Sequence, residues 1–375
     1  MRRRPRPAHW IVHATVALAV VLWSLPMLGL FITSLRSGEE VAASGWWTSL
    51  APATRQGMVR AEGAWVETGG RFRQQGRVFG AGTGEVLAFG ISSKAPAAFV
   101  ADSTADLPDG GRLGVRKDGS YLLTSDRPPS EAGQRIFFAA RTQATLTLQN
   151  YRQVLGSGGF LRSLVNSVLV AVPSTLIPML IAAYAGHALA WLRFPGRRLL
   201  VIGLVGLMVV PLQMALIPLL SFHNNIGQAI EVDAKTYIGI WFVHTGFALP
   251  LAIHLLHKAM AALPREIIES ARLDGLSDHR IFTRIVLPLS FPALAAFGTF
   301  QFVWTWNDLL VAMVFLGPQD ERLVLTGKLL NLIGSHGGEW EILAASTFVS
   351  IALPVAVFLG LQRFLVRGVL AGFSR

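Results

Sequence analysis

Six long apolar runs, broken by short polar stretches and by one long polar insertion, lay out this 375-residue chain. They cover about Trp10–Thr33, Phe160–Trp191, Leu199–Phe222, Thr236–His257, Leu289–Leu316 and Ile342–Val366. A helix needs roughly 20 residues to cross about 30 Å of hydrocarbon, so each run is long enough to span a bilayer. Pro173, Pro178, Pro211, Pro218, Pro250 and Pro354 fall inside these runs. Spanning helices tolerate interior proline because neighbouring helices satisfy the freed carbonyls.

Between the first two runs lies the insertion, about Ser34–Gly159. Here the pattern changes to short alternating stretches rich in glycine. RVFGAGTGEVLAFGI and QRIFFAARTQATLTL read as strands, and RLGVRKDGSYLLTS reads as a hairpin with Asp118-Gly119 as a two-residue turn. The expected architecture is an all-α polytopic membrane protein of six transmembrane helices with an inserted β-rich domain. Residues 1–33 form an N-terminal arm and first helix, 34–159 the insert, and 160–375 a five-helix core with a polar loop at 259–289.

Composition agrees: 52% of residues are hydrophobic and 15% charged, against about 25% charged in soluble domains. The chain has no cysteine, which excludes disulfides and thiolate chemistry. A net charge of +11 first suggests nucleic acid, but its placement follows the positive-inside rule. With the N-terminus inside, the inner pieces hold Arg2, Arg3, Arg4 and Arg6, then Arg193, Arg197 and Arg198, then Arg363, Arg367 and Arg375. The short outer loops hold Glu231, Asp233 and Asp320, Glu321, Glu339 and Glu341 with fewer bases. Both termini are therefore expected in the cytoplasm, the insert outside, lipid as a partner and nucleic acid not. The arginine-led first run also suits a signal peptide, but its length favours a retained anchor.

The polar stretch PREIIESARLDGLSDHRIFTRIVLPLSFP joins the fourth and fifth runs. Pro264 suits a helix start, with Glu266 and Glu269 near its positive end. Ile267, Ile268 and Ala271 make an apolar face, and Gly275 ends the helix. Ser277 caps a second helix whose stripe is Ile281, Phe282 and Ile285, closed by Pro288. A stiff helix–glycine–helix elbow suits a groove on a partner protein and equally suits the surface of a bilayer.

This elbow resembles the coupling motif of ATP-binding-cassette importer permeases: Glu-Ala-Ala, three residues, Gly, nine residues, Ile-x-Leu-Pro. The matching positions are Glu269, Ser270, Ala271, Gly275, Ile285, Leu287 and Pro288, with Asp274 as in sugar importers. Ser270 and Leu276 replace alanines of the pattern. NYRQVLGSGGFLRSLVNSVLVAVPSTL, WLRFPGRR, WTWNDLL and LQRFLVRGVLAGFSR are similar to the maltose-type carbohydrate subunit, so the resemblance covers roughly 148–375 and the first run. The insert is not part of that subunit's usual short form.

The resemblance implies a type I permease fold in a bacterial inner membrane, importing a sugar, polyol or oligosaccharide by alternating access. It implies a second permease, two ATPase subunits and an extracytoplasmic solute-binding protein as partners. ATP and Mg would sit on the ATPase, with no cofactor on this chain, which has no phosphate-binding glycine loop and is not itself an enzyme. The elbow positions above would dock the ATPase. Importers of peptides, phosphate esters or polyamines, and an ion-coupled secondary transporter, are the alternatives.

Asp308 is ionisable within the fifth run and is flanked by Trp304, Trp306 and Asn307, a set able to stack on and bond a polyhydroxylated solute. Asn166 adds an amide. Each also has a structural reading: interfacial tryptophan, repair of a broken helix, or a helix-packing hydrogen bond. His244, His254 and His257 lack the accompanying ligands of a zinc site.

Overall fold

The computed structural model describes residues 7–373 except 50–52, 63, 69, 80–83, 109, 127–132, 143–145, 230–234 and 336–337. Arg2, Arg3, Arg4, Arg6, Glu231, Asp233 and Arg375, used above for orientation, lie outside the described residues. The chain divides into two compact units, Met1–Asn150 and Tyr151–Arg375.

The first unit opens with α1 (Pro7–Ser34), followed by α2 (Gly38–Ala43). Antiparallel strands follow among the described residues: β1 (Ala53–Arg60), β2 (Val66–Thr68), β3 (Arg71–Arg77), β4 (Gly84–Gly90), β5 (Phe99–Val100), β6 (Thr104–Asp106), β7 (Arg112–Val115), β8 (Ser120–Ser125) and β9 (Arg135–Thr142). They form two sheets, ordered β1-β9-β4-β5 and β2-β3-β8-β7-β6. Val86, Phe89 and Ile136 of one sheet meet Leu113, Val115 and Leu123 of the other in a shared core, a sandwich in which alternate residues point inward.

The hairpin is real but its turn differs from the expected pair. Gly119 N–H donates to the Arg116 carbonyl and Arg116 N–H to Ser120. Lys117 and Asp118 are therefore the central turn residues, and Gly119 follows at φ +80°. This is a three-residue loop with a glycine bulge. The Asp118 carboxylate accepts from Ser120 N and Oγ at 2.9 and 2.6 Å.

Where α1 ends, a buried knot closes the insert's entry against its exit. Arg36 donates to the carbonyls of Glu40 and Ser44 at 2.6 and 3.0 Å. Asn150 Nδ2 donates to the carbonyls of Ser34 and Arg36, both at 2.8 Å. Carbonyl acceptors offset the cost of burying the guanidinium.

The second unit is helical, entered through α3 (Gln149–Gly156): α4 (Phe160–Trp191), α5 (Arg197–Leu207), α6 (Leu212–Ala229), α7 (Tyr237–Ala261), α8 (Arg265–Leu273), α9 (Asp278–Ile281), a π-helical turn at Phe282–Val286, α10 (Leu287–Leu289), α11 (Phe291–Asn307), α12 (Leu309–Phe315), α13 (Leu325–Ser335) and α14 (Trp340–Phe373). Among the described residues, four helices, α1, α4, α7 and α14, are long and apolar enough to cross a membrane, and up to six if each of two bent pairs counts as one.

Breaks within the third and fifth runs correct the reading of each as one continuous helix. The third bends by 105° between α5 and α6. Pro211 stands at that break; it offers no N–H and disfavours helical backbone at Val210. At the start of the fifth, the end of the elbow meets α11 at a 70° bend near Ser290, and the run itself breaks at Asp308, whose backbone is extended. Pro173, Pro178, Pro218, Pro250 and Pro354 do lie inside helices. At Gly186 α4 and α7 touch backbone to backbone: a Cβ there would lie 3.0 Å from His257 N.

Candidate functional site

The elbow is built by local rules and then anchored. Gly275 adopts φ +79°, and its N–H reaches the Arg272 carbonyl while Leu276 N–H reaches that of Ala271. These paired bonds form the Schellman end of α8, with Leu276 as the apolar residue after the turn. Leu276 packs on the same cluster as Ala271. Ser277 Oγ then accepts from Arg280 N at 3.4 Å, opening α9. Arg272 and Asp278 form an ion pair at 3.1 Å across the glycine. α9 continues into the π-helical turn; Pro288, lacking an N–H, cannot bond back to that turn.

Burial divides the motif in two. Glu269, Ser270, Asp274, Gly275 and Pro288 are exposed. Ala271 is buried and Ile285 and Leu287 pack against the helical core, so these three anchor the elbow rather than present a surface. Of the face expected on α8, Ile268 is 1% exposed but Ile267 is 41% exposed. Ile267 joins the outer face with Leu273, which is 89% exposed. Ile268, Ala271, Ile281, Phe282 and Val286 form one core with Leu256 and Met260 of α7 and Ala182 and Ala183 of α4.

The residues expected along a solute path are not brought to one place. Trp306 is buried, stacks on Phe302 at 5.6 Å and donates Nε1–H to the Ser350 carbonyl at 3.2 Å. Trp304 and Asn307 are exposed on the other side of α11; Asn307 Nδ2 donates to Val303 of its own helix. Asp308 accepts from Val311 N at 3.1 Å and so caps α12. Asn166 is buried, donating to the carbonyls of Glu321 and Leu323 at 2.9 and 3.0 Å and accepting from Tyr237 Oη at 2.9 Å. It clamps the segment before α13 and the start of α7 onto α4. Among the described residues no three His, Asp or Glu side chains gather as a metal site requires.

Some polar residues in the helical core gave no warning in the sequence. Gln301 is buried and donates to the Ser174 carbonyl and Thr305 Oγ1, both at 3.3 Å. Buried His187 and the more exposed Tyr184 of α4 lie against Phe282 of the elbow. Ser174 lies many tens of residues from Gln301, and Phe282 from Tyr184 and His187, so no local spacing marks these contacts.

Residues 158–371 match the family described as the binding-protein-dependent transport system inner membrane component. The alpha-glucoside transport system permease protein AglG of Rhizobium meliloti is 58% identical over 372 residues, 98% of each chain. The osmoprotective compounds uptake permease protein GgtD of Synechocystis sp. is 35% identical, covering 96% of this chain and 90% of its own. The trehalose transport system permease protein SugB of Mycobacterium tuberculosis is 31% identical over 61% of this chain and 82% of its own. The first two alignments are long enough to include the β-sandwich insert. With its elbow, its apolar helices and these relatives together, the chain belongs to the binding-protein-dependent transport system inner membrane component family, the permeases of ATP-binding-cassette importers.

Proposed function

We propose that this permease carries an α-glucoside or a closely related glycoside across the bacterial inner membrane by alternating access. The substrate class rests on the 58% identity to AglG along the full chain. Six spans, two of them bent, would place both termini and the elbow in the cytoplasm and the β-sandwich outside. A second permease would complete the path, two ATPase subunits with ATP and Mg would bind below, and a solute-binding protein would dock outside.

One observation carries the coupling role. α8 buries Ile268 and Ala271 in the helical core while holding Ile267, Glu269, Ser270, Leu273 and Gly275 outward. An almost fully exposed leucine beside acidic and small side chains suits a groove on a partner protein. Glu269 would meet a basic group there, and ATP-driven closure of the ATPase pair would move the elbow and rock the spans. Of the solute-path residues, Trp304 and Asn307 have the free exposure to face a sister subunit or a sugar; Asp308, Trp306 and Asn166 act first in holding helices.

The test is to purify the complex from membranes, reconstitute it in proteoliposomes with its binding protein, and measure uptake of labelled maltose, sucrose and trehalose with and without ATP. ATP-dependent uptake by a complex containing an ATPase is expected. A monomer or homodimer that transports without any ATPase would overturn the reading.

A further inference from the structure

We propose that Tyr184 and His187 of α4, with His279 and Phe282 of the elbow, form the joint through which elbow movement reaches the spans. The inference rests on the importer reading and adds positioning residues outside the coupling motif. Phe282 is 2% exposed. Its ring lies 4.5 Å from that of Tyr184 and 5.0 Å from that of His187. His279 lies 6.4 Å from Tyr184 with the two rings nearly parallel, at 9°. Tyr184 and His187 are three apart on one helix, and so are His279 and Phe282, so each pair presents a single face. Two rings from the span therefore meet two rings from the elbow.

The choice of residues suits transmission. The cluster around this contact is largely alanine, leucine, isoleucine and methionine, packed closely enough to transmit a displacement. The aromatic rings add large, flat, rigid contact faces to it. His187 is buried, and neither ring nitrogen has a hydrogen-bond partner among the described residues. A leucine or phenylalanine would fill the space without leaving polar atoms unpaired. One residue before His187, Gly186 joins α4 to the backbone of α7. A force applied at Phe282 thus enters α4 where α4 and α7 are fused.

Because the chain has no cysteine, the joint can be replaced by a covalent one. In the reconstituted complex, Tyr184→Cys with His279→Cys removes the stacked pair, and a short reducible bis-thiosulfonate bridges the two sites. The solute taken up per ATP hydrolysed is expected to fall about fivefold or more in the unbridged variant, the lower end of allosteric coupling ratios. It is expected to recover on bridging and fall again on reduction. Phe282→Leu is expected to lower the same ratio and Phe282→Tyr to restore it. If bridging stops the remaining transport, the elbow slides on α4 and the joint is refuted. An unchanged ratio in both Phe282→Leu and the unbridged variant refutes it equally. Both outcomes are read only where the unsubstituted complex couples uptake to ATP; failure of that control overturns the importer reading instead.

Discussion

Gly275 separates two demands, a turn and a clear surface, and substitutions there can be made to tell them apart. Its φ of +79° costs an ordinary L-residue roughly 1–2 kcal/mol. A Cβ at this position meets nothing within 4 Å, so no steric clash adds to that figure. Against it stands the burial of Ile268, Ile281, Phe282 and Val286, each contributing about 1.5–3 kcal/mol. The anchoring outweighs the strain several times over, so the elbow stays folded in Gly275→Ala, Gly275→Asn and Gly275→Asp. Asparagine and aspartate accept the left-handed backbone better than alanine, and would be the milder changes if the turn were all that mattered. If the open space is kept for a docked ATPase, the order reverses: the larger polar side chains obstruct docking and alanine does so least. A docking loss of about 2.8 kcal/mol is roughly 100-fold in affinity. The assay compares the thermal midpoint of the detergent-solubilised chain, recovery of ATPase on affinity purification, and hydrolysis stimulated by loaded binding protein. We expect similar midpoints for all three variants, with hydrolysis lost in Gly275→Asp and Gly275→Asn and partly kept in Gly275→Ala. Stimulated hydrolysis at the unsubstituted level in Gly275→Asp would show that the surface need not be clear.

Asn166→Ala removes two donors to carbonyls and leaves Tyr237 Oη without its acceptor; at about 1–3 kcal/mol per unpaired buried group, a marked drop in thermal midpoint is expected, and an unaltered midpoint with a raised KM for uptake would assign Asn166 to solute instead. Asp308→Asn keeps an N-cap for α12 and is expected to leave stability nearly unchanged, whereas Asp308→Ala loses about 1 kcal/mol; transport lost in the asparagine variant at full stability would reveal a role for the charge beyond capping. At the hairpin tip, bonds from Ser120 hold the Asp118 carboxyl below its ordinary range, with Arg77 and Arg116 adding to the effect. Its contribution is therefore complete above the ordinary carboxylate value and is lost as pH falls through the depressed one, so carboxyl-resolved NMR is expected to show Asp118 titrating below the ordinary carboxylate value, and less far below it in Ser120→Ala, which loses the hydroxyl bond but keeps the backbone one.

The elbow was readable because its signals are local. A glycine after a helical stripe, a serine before an aspartate and an acidic residue in a first turn each act within a few positions; the structure realises these with Gly275, Ser277 and Glu266, while Glu269 falls beyond the first turn of α8. The face of α8 was read one residue too wide. Ile267 and Ile268 are adjacent, a step of about 100° on a helix, and only packing against α4 and α7 decides which of them is covered. The aromatic residues around Asp308 looked like a cluster because they are neighbours in sequence; on α11 they point to opposite sides.

What the sequence determined by itself is whatever depends on the solvent and on short range: which segments are apolar enough for a membrane, where a β-rich insert interrupts them, and where the elbow turns. Tertiary structure alone decided which prolines break a helix, since Pro211 ends one and Pro218 does not, and how Asn166 spends its amide on carbonyls more than 150 residues away. It also decided that Phe282 meets Tyr184 and His187. These outcomes depend on groups supplied by distant parts of the chain, and a side chain's own neighbourhood in sequence carries no trace of partners that arrive only when helices pack.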